Sequence, residues 1–345
     1  MCIICDNIDT LHKLTNLTRL YCRDCISLTR IPSELTELTF LNCSGCTRLT
    51  HIPNTLTKLT YLDCSGCTGL ACIPSKLANI SQLYCCGCTG LTHISNELTK
   101  LSHLNCSRCT SLTSIPDKLT KLTELRCSRC TSLVSIPDKL PKLTELRCSG
   151  CTSLTSLPNE MANLTKLYCN ECISLTHIPN ELSKLTELYC RGCIGLTHIP
   201  RELTNLVHLG CPDCTRLTHI PNELTGIKTL NCSGCTNLTH LPSKLTKLTY
   251  LNCSRCTGLT YIPNIPKLTE LYCGDCTSVI FAPQRCIKRI SPELVENNYQ
   301  KYRKEMCIKT FGKDGTAYEE LIRVACRPDR LLQWTDDLEF HEQMM

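Results

Sequence analysis

The sequence predicts a repeat solenoid, a chain wound into short stacked turns that reuse one structural unit along nearly its whole length. Three observations predict it. A Cys-x-x-Cys motif begins at Cys22, Cys43, Cys64, Cys85, Cys106, Cys127, Cys148, Cys169, Cys190, Cys211, Cys232 and Cys253, a strict step of 21 residues, and a last copy follows after 20 at Cys273. Each motif sits in the same apolar frame, typified by Leu59-Thr-Tyr-Leu-Asp-Cys-Ser-Gly-Cys-Thr-Gly-Leu70. Between motifs, Ile-Pro pairs such as those at 52–53, 73–74 and 115–116 recur at one place in the period. A further Cys-x-x-Cys, Cys2/Cys5, stands at the N-terminus.

One unit reads Leu-Thr-x-Leu-x-Cys-Ser-x-Cys-Thr-x-Leu-Thr-x-Ile-Pro-x-x-Leu-Thr-x. A period of about 20–29 residues carrying Leu-x-x-Leu-x-Leu-x-x-Asn/Cys-x-Leu marks the leucine-rich repeat family, and residues 11 to about 282 resemble it. The resemblance implies an α/β solenoid of horseshoe form. Its Leu-x-x-Leu-x-Cys segments would be short parallel strands stacked into one concave sheet. The alternation fits that reading, with Leu62 and Cys64 pointing inward and Tyr61, Asp63 and Ser65 outward. Proline in the return path denies a helix and pre-sets its own backbone angle, so the convex side is expected to be extended or 3-10.

The cysteines have a packing role in this frame. The first of each pair takes a strand position where the family usually carries leucine, and a free cysteine behaves as a small buried hydrophobe. The second, as in Cys67, takes the place of a buried asparagine and is expected to offer a weak S–H donor to loop carbonyls. The variant resembles the cysteine-bearing repeats of plant-type leucine-rich proteins. Two rival readings stay open. The run from Cys43-x-x-Cys46 to Cys64-x-x-Cys67 satisfies a zinc spacing. Disulfides between adjacent strands are also possible, since strands about 4.8 Å apart lie within bridging range. Packing is the reading taken, with no metal and no cofactor assigned.

Composition narrows the function classes. The net charge of +6 is spread over 345 residues, and aromatic residues make up 5%, which argues against a nucleic-acid surface. The start, Met1-Cys-Ile-Ile-Cys-Asp6, has neither a basic nor an apolar leader segment, and no run approaches a membrane span. Free thiols in a reducing intracellular setting are therefore expected for the 33 cysteines. The sequons at Asn16, Asn79 and Asn163 read as by-products of a threonine-rich repeat. Cys273-Gly-Asp275 resembles the Cys-x-Asp of bacterial leucine-rich ubiquitin ligases, but it is the thirteenth copy of the ladder and is not assigned catalysis. His51, His93, His177, His198, His219 and His240 share one column, which is expected to line a turn beside the convex side. Such a column could bind a transition metal or sense pH, and solvated repetition is the reading preferred.

Divergence in a solenoid concentrates on the exposed strand positions. The column before each first cysteine reads Tyr21, Asn42, Asp63, Tyr84, Asn105, Arg126, Arg147, Tyr168, Tyr189 and onward. Two positions earlier come Arg19, Phe40, Tyr61, Gln82, His103, Glu124, Glu145, Lys166, Glu187 and His208. Tyrosine and arginine are enriched among residues that carry interface energy. Tyr84, Arg108, Arg126, Arg129, Arg147, Tyr168 and Tyr189 are accordingly the candidate partner-binding residues. Glu124 and Glu145 interleave with the arginines, so a charged ladder that neutralises itself across strands is the competing reading.

The pattern stops after Phe281-Ala-Pro283, dividing a solenoid of residues 1–282 from a tail of 283–345. Ser291-Pro-Glu-Leu-Val is expected to open a helix reaching about Ile308, with further helical segments at 317–325 and after Asp329, together forming a cap. The edge strand near Cys2 is expected to be a self-association site. The tail sequence Ala325-Cys-Arg-Pro-Asp-Arg-Leu-Leu-Gln-Trp334 and the cysteine-rich repeats resemble repeat proteins of giant DNA viruses that infect amoebae. That resemblance implies a viral protein acting in host cytoplasm or virion. The resulting reading is a non-enzymatic scaffold that binds a protein partner on its concave face, without nucleic acid or membrane. A thiol-rich zinc-binding or redox-buffering protein and a ubiquitin-ligase substrate adaptor are the alternatives.

Overall fold

A computed structural model describes residues 15–280, together with Ala282, Asn297, Asn298, Gln300 and Lys301. The chain divides into two compact units, Met1–Leu196 and Thr197–Met345. In the first unit, nine three-residue strands lie parallel and in chain order: β1 Arg19–Tyr21, β2 Phe40–Asn42, β3 Tyr61–Asp63, β4 Gln82–Tyr84, β5 His103–Asn105, β6 Glu124–Arg126, β7 Glu145–Arg147, β8 Lys166–Tyr168 and β9 Glu187–Tyr189. The second unit stacks β10 His208–Gly210, β11 Thr229–Asn231, β12 Tyr250–Asn252 and β13 Glu270–Tyr272 in the same manner. Equivalent residues face each other within each unit, as in Leu62↔Leu83 and Leu83↔Leu104. A one-residue slip would turn each buried leucine to the solvent face, so the period fixes the register.

The repeat explains each part of a turn. Leu62, Cys64, Cys67, Leu70, Ile73, Leu77 and Ile80 are all buried, and so are nearly all the corresponding residues of the other described repeats. Ahead of the strands, a hydroxyl column extends the backbone ladder. Thr39, Thr60, Ser81, Ser102, Thr123, Thr144, Thr165 and Thr186 each donate to the carbonyl of the matching residue one repeat earlier, at 2.9–3.1 Å. Past the strand the ladder continues, with Cys43 N–H donating to Asp63 O at 2.8 Å and Gly45 N–H to Ser65 O at 2.7 Å.

The return path differs in detail from expectation. Among the described residues it contains no 3-10 helix. It is a series of single tight turns, such as Leu56 N–H to Pro53 O at 3.5 Å and Leu59 N–H to Leu56 O at 3.1 Å. Proline removes the donor a continuing helix would need, so each turn stops after one closure. The column that holds the histidines is extended, with parallel bridges Cys72↔His93, Ser114↔Ser135 and His240↔Tyr261. The described array is therefore a β-solenoid, and the α component expected of the fold rested on the tail. The expected cap, the 282/283 boundary's far side and the edge near Cys2 lie outside the described residues, apart from four tail residues. Asn297, Asn298, Gln300 and Lys301 are helical, and Asn298 Nδ2 donates to Thr277 O at 2.8 Å and to Val279 O at 3.1 Å.

Within each unit, a thiol ties one turn to the turn before it. In the first unit, Sγ of Cys46, Cys67, Cys88, Cys109, Cys130, Cys151, Cys172 and Cys193 donates to the carbonyl of the first cysteine one repeat back, at 2.9–3.2 Å. Cys235, Cys256 and Cys276 do the same in the second, at 3.0–3.1 Å. The acceptor is the carbonyl that already closes its own turn, as when Cys46 N–H reaches Cys43 O at 3.2 Å. A carbonyl has two lone pairs, and this arrangement fills both. Cys25 is disulfide-bonded, whereas the cysteines of these pairs are free thiols.

A second constraint sits two residues after each first cysteine, where the backbone repeatedly adopts positive φ. Six repeats place glycine there, and Asp24, Arg108, Arg129, Glu171, Asp213, Arg255 and Asp275 hold φ of 55–61°. At Gly234 both the angle (φ 71°) and the space matter. A Cβ there would collide with Asp213 Oδ1, and Arg255 Nη2 reaches across this glycine to the same oxygen at 3.3 Å.

Gly234→Ala should lower stability by about 1–2 kcal/mol through left-handed strain alone, with crowding of Asp213 in addition. Gly274→Ala, whose new methyl would meet nothing within 4 Å, should be close to neutral; thermal unfolding compares them. A second expected outcome concerns pH. The first thiols of ten cross-repeat pairs, from Cys43 with Cys67 to Cys253 with Cys276, are held protonated well above the usual thiol range by the partner thiol's hydrogen bond and then by burial. Cys151 and Cys256 shift downward because the same partner stabilises their thiolates, so such a pair titrates as a unit that keeps one proton. For the first thiols, folded values above unfolded ones mean their contribution is intact below the unfolded thiol pKa of about 8.5 and is lost as pH rises past it, whereas the lowered Cys151 and Cys256 contribute in the opposite direction. Denaturation followed from about pH 7 to 10.5 should show a plateau and then a steep fall accompanied by thiolate absorbance.

Candidate binding face

The outward strand positions fall into two classes. Asn42, Asp63 and Asn105 turn their Oδ1 back to accept the N–H two residues on, at 3.1 Å, and Asn231 and Asn252 do so in the second unit. These side chains shape the turn that follows the strand. Tyr21, Tyr84, Arg126, Arg147, Tyr168 and Tyr189 occupy the same column without that duty, and they form the variable surface.

On β6 to β9, the candidates form a closed network. Arg126 pairs with Glu124 and Arg147 Nε with Glu145 Oε1 at 2.5 Å, each within its own strand. The neutralisation expected across strands therefore runs along them for both arginines. The in-register neighbours are like-charged, Glu124 beside Glu145 and Arg126 beside Arg147, so the pairing within strands offsets repulsion between them. Arg147 also lies over the Tyr168 ring, 4.3 Å from its centroid, and Tyr168 stacks on Tyr189 at 5.1 Å and 6°. Tyr168 donates its hydroxyl to Glu187 Oε2 at 2.8 Å, while Lys166 reaches Glu187 Oε1 at 3.0 Å across strands. Burial, then the Glu187 hydrogen bond, pushes the Tyr168 phenol up, and Glu145 raises the Arg147 guanidinium. The result is a face of stacked rings framed by compensated charge.

Arg108 and Arg129 are not strand residues. They stand in the positive-φ turn beyond β5 and β6, exposed, one repeat apart. Tyr84, by contrast, ends a second aromatic row that the sequence reading missed. Tyr21, Phe40, Tyr61 and Tyr84 run across β1 to β4 with centroid separations of 4.9, 4.3 and 5.4 Å, and Arg19 lies 4.4 Å over the Phe40 ring. The rings come from both outward columns, so a reading down either column alone sees only half of the row. In the second unit, Tyr250 and Tyr272 form a tilted pair at 5.7 Å.

The remaining chemical candidates are placed elsewhere. The column histidines are exposed, and each turns Nδ1 toward the preceding threonine hydroxyl at 3.0–3.2 Å. Among the described residues, no group of three or more His, Cys, Asp or Glu side chains is arranged to hold a metal ion. Cys273 is fully buried in the ladder, where a nucleophile has no access to substrate. The sequon residues Asn79 and Asn163 spend their amide nitrogen on Thr57 O and Pro141 O, both at 2.8 Å, and their oxygen on Lys100 and Lys184. No described helix is long and apolar enough to cross a membrane.

No protein-family model matches the chain, and no curated protein matches it. Solved structures similar to it include leucine-rich repeat proteins. The functional domain of the InlJ protein from Listeria monocytogenes, described as including a cysteine ladder, is 25% identical over 84% of this chain and 68% of that one, with a TM-score of 0.48. The leucine-rich repeat domain of the type III effector XopL is 22% identical over 70% and 78%, TM-score 0.40. A leucine-rich repeat protein of Leptospira interrogans is 19% identical over 83% and 91%, TM-score 0.41. The described residues form a 21-residue-period, cysteine-bearing β-solenoid, and leucine-rich repeat proteins are among the structures it is similar to.

Proposed function

We propose that the chain is a protein-interaction scaffold that binds its partner on the exposed strand face of the first unit, without catalysis of its own. One observation carries this reading. The buried columns repeat nearly unchanged from turn to turn, while the outward strand columns hold two aromatic rows, Tyr21–Tyr84 and Tyr168–Tyr189, with arginines stacked on them. Rings locked by stacking and ion pairs lose little freedom on binding, and they are the side chains that anchor interfaces. The compensated charges around them suit a polar rim more than an electrostatic trap. On the same reading the partner is intracellular, in line with the resemblance of the tail to viral repeat proteins. The segment after residue 282 would cover the open end of the core, where Asn298 already serves two loop carbonyls.

Affinity capture from host-cell lysate tests the reading. A partner retained by the full chain should be lost, by about tenfold or more in affinity, from Tyr168→Ala/Tyr189→Ala or from Phe40→Ala/Tyr61→Ala. Lys121→Ala/Lys142→Ala, on the exposed return path, should retain it. Equal retention by both aromatic variants would move the site off this face.

A further inference from the structure

We propose that Arg108 and Arg129 form a two-pronged site for a phosphoryl group on a phosphorylated segment of the protein partner. The inference deepens the scaffold reading and rests on it only for the partner being a protein. Its first support is the backbone. The positive-φ position accepts glycine without strain and aspartate with little, and most repeats use one of these. Arginine is a strained choice there, yet it occurs in two successive turns, with φ of 61° and 60°. Strain retained in this way is commonly tied to function.

The second support is charge. The third arginine of this column, Arg255, is answered by Asp213 at 3.3 Å. Among the described residues, Arg108 and Arg129 have no carboxylate partner, and the strand acids Glu124 and Glu145 are occupied by Arg126 and Arg147. Their neighbours in the column are Gly87 and Gly150, and the residues just before them are Ser107 and Ser128. The two backbones are locked into successive rungs by Arg108 N–H to Ser128 O and Arg129 N–H to Ser149 O, both 2.7 Å. That places two uncompensated cations about 4.8 Å apart at the backbone, an arrangement that repels itself in the free protein and is relieved by a shared anion.

The third support is the ligand's chemistry. The Arg129 side chain lies along the next turn over Gly150, where the missing Cβ leaves its path open, its Cγ 3.0 Å from where a Cβ would stand. A phosphate monoester carries up to two charges and three free oxygens, so two guanidinium forks can each bind it through paired N–H donors. One carboxylate would leave a second cation unanswered. The site borders the strand face at β5 and β6, so a segment lying across the aromatic rows could present its phosphoryl group there.

Fluorescence anisotropy with the full chain tests the proposal. The probes are a labelled glycine–serine peptide bearing one phosphoserine and its unphosphorylated twin, with inorganic phosphate as competitor. The phosphopeptide should bind about tenfold more tightly than its twin. Arg108→Gly/Arg129→Gly should abolish that preference while melting at the same or a higher temperature, because glycine relieves the turn. Arg255→Gly should keep the preference. Equal binding of the two peptides, or a preference that survives the double glycine variant, would overturn the site. Displacement by inorganic phosphate at concentrations equal to the peptide would replace the phosphorylated segment with a free anion. Equal peptide binding alongside aromatic-dependent capture leaves the scaffold reading standing and removes this site. Phosphopeptide binding without aromatic-dependent capture would do the reverse.

Discussion

The structure depends on one weak donor used many times within each compact unit: the thiol of a second cysteine such as Cys67 or Cys256, aimed at the carbonyl of the first cysteine one turn earlier. Backbone rungs continue on both sides of each three-residue strand, as in Thr60 N–H to Thr39 O and Gly66 N–H to Cys86 O, and the thiol adds a further rung inside the core. The carbonyl at the strand end, having closed its own tight turn, still has a free lone pair inside the apolar core. An unfilled acceptor there would be costly. A thiol fills it with a group barely larger than a methyl, so the turn can close in 21 residues without a wider loop.

That frame determines what is left for function. The leucines and cysteines are confined to the interior, the leading threonines are committed to the carbonyl ladder, and many of the outward strand positions are spent on turns through Asn42, Asp63, Asn105 and their equivalents. Freedom remains in the other strand positions and in the positive-φ column. The aromatic rows and the arginines occupy those places. They are held in position by a scaffold whose rigidity comes from buried thiols rather than from the residues that would meet a partner.

Most of the architecture was legible because the period is strict. Leu62 and Cys64 could be placed inward and Tyr61 outward from alternation alone, and the role of Cys67 as a buried donor followed from its place in the unit. The return path was less legible. Proline forbids a helix, but whether the chain then forms 3-10 or isolated turns depends on hydrogen bonds that composition does not encode. The site was legible only in part. Tyr168 and Tyr189 share one column and stack as that predicts, whereas Phe40 and Tyr61 meet Tyr21 and Tyr84 diagonally between columns. Grouping Arg108 and Arg129 with Arg126 and Arg147 joined side chains close in sequence that stand on different parts of the turn. Seeing the difference required knowing that the second residue after the first cysteine takes positive φ.

The most direct test of the central claim is the unfolding free energy of Cys109→Ser against Cys109→Ala. Cys109 is fully buried and its Sγ lies 3.0 Å from Cys85 O. If the thiol matters as a donor, serine keeps part of the bond and alanine loses all of it. Alanine should then be the less stable variant, below the native chain by about 1–3 kcal/mol. If the thiol matters only as an apolar filler, alanine would equal or exceed serine, and the hydrogen-bonded ladder would not be what sets the fold.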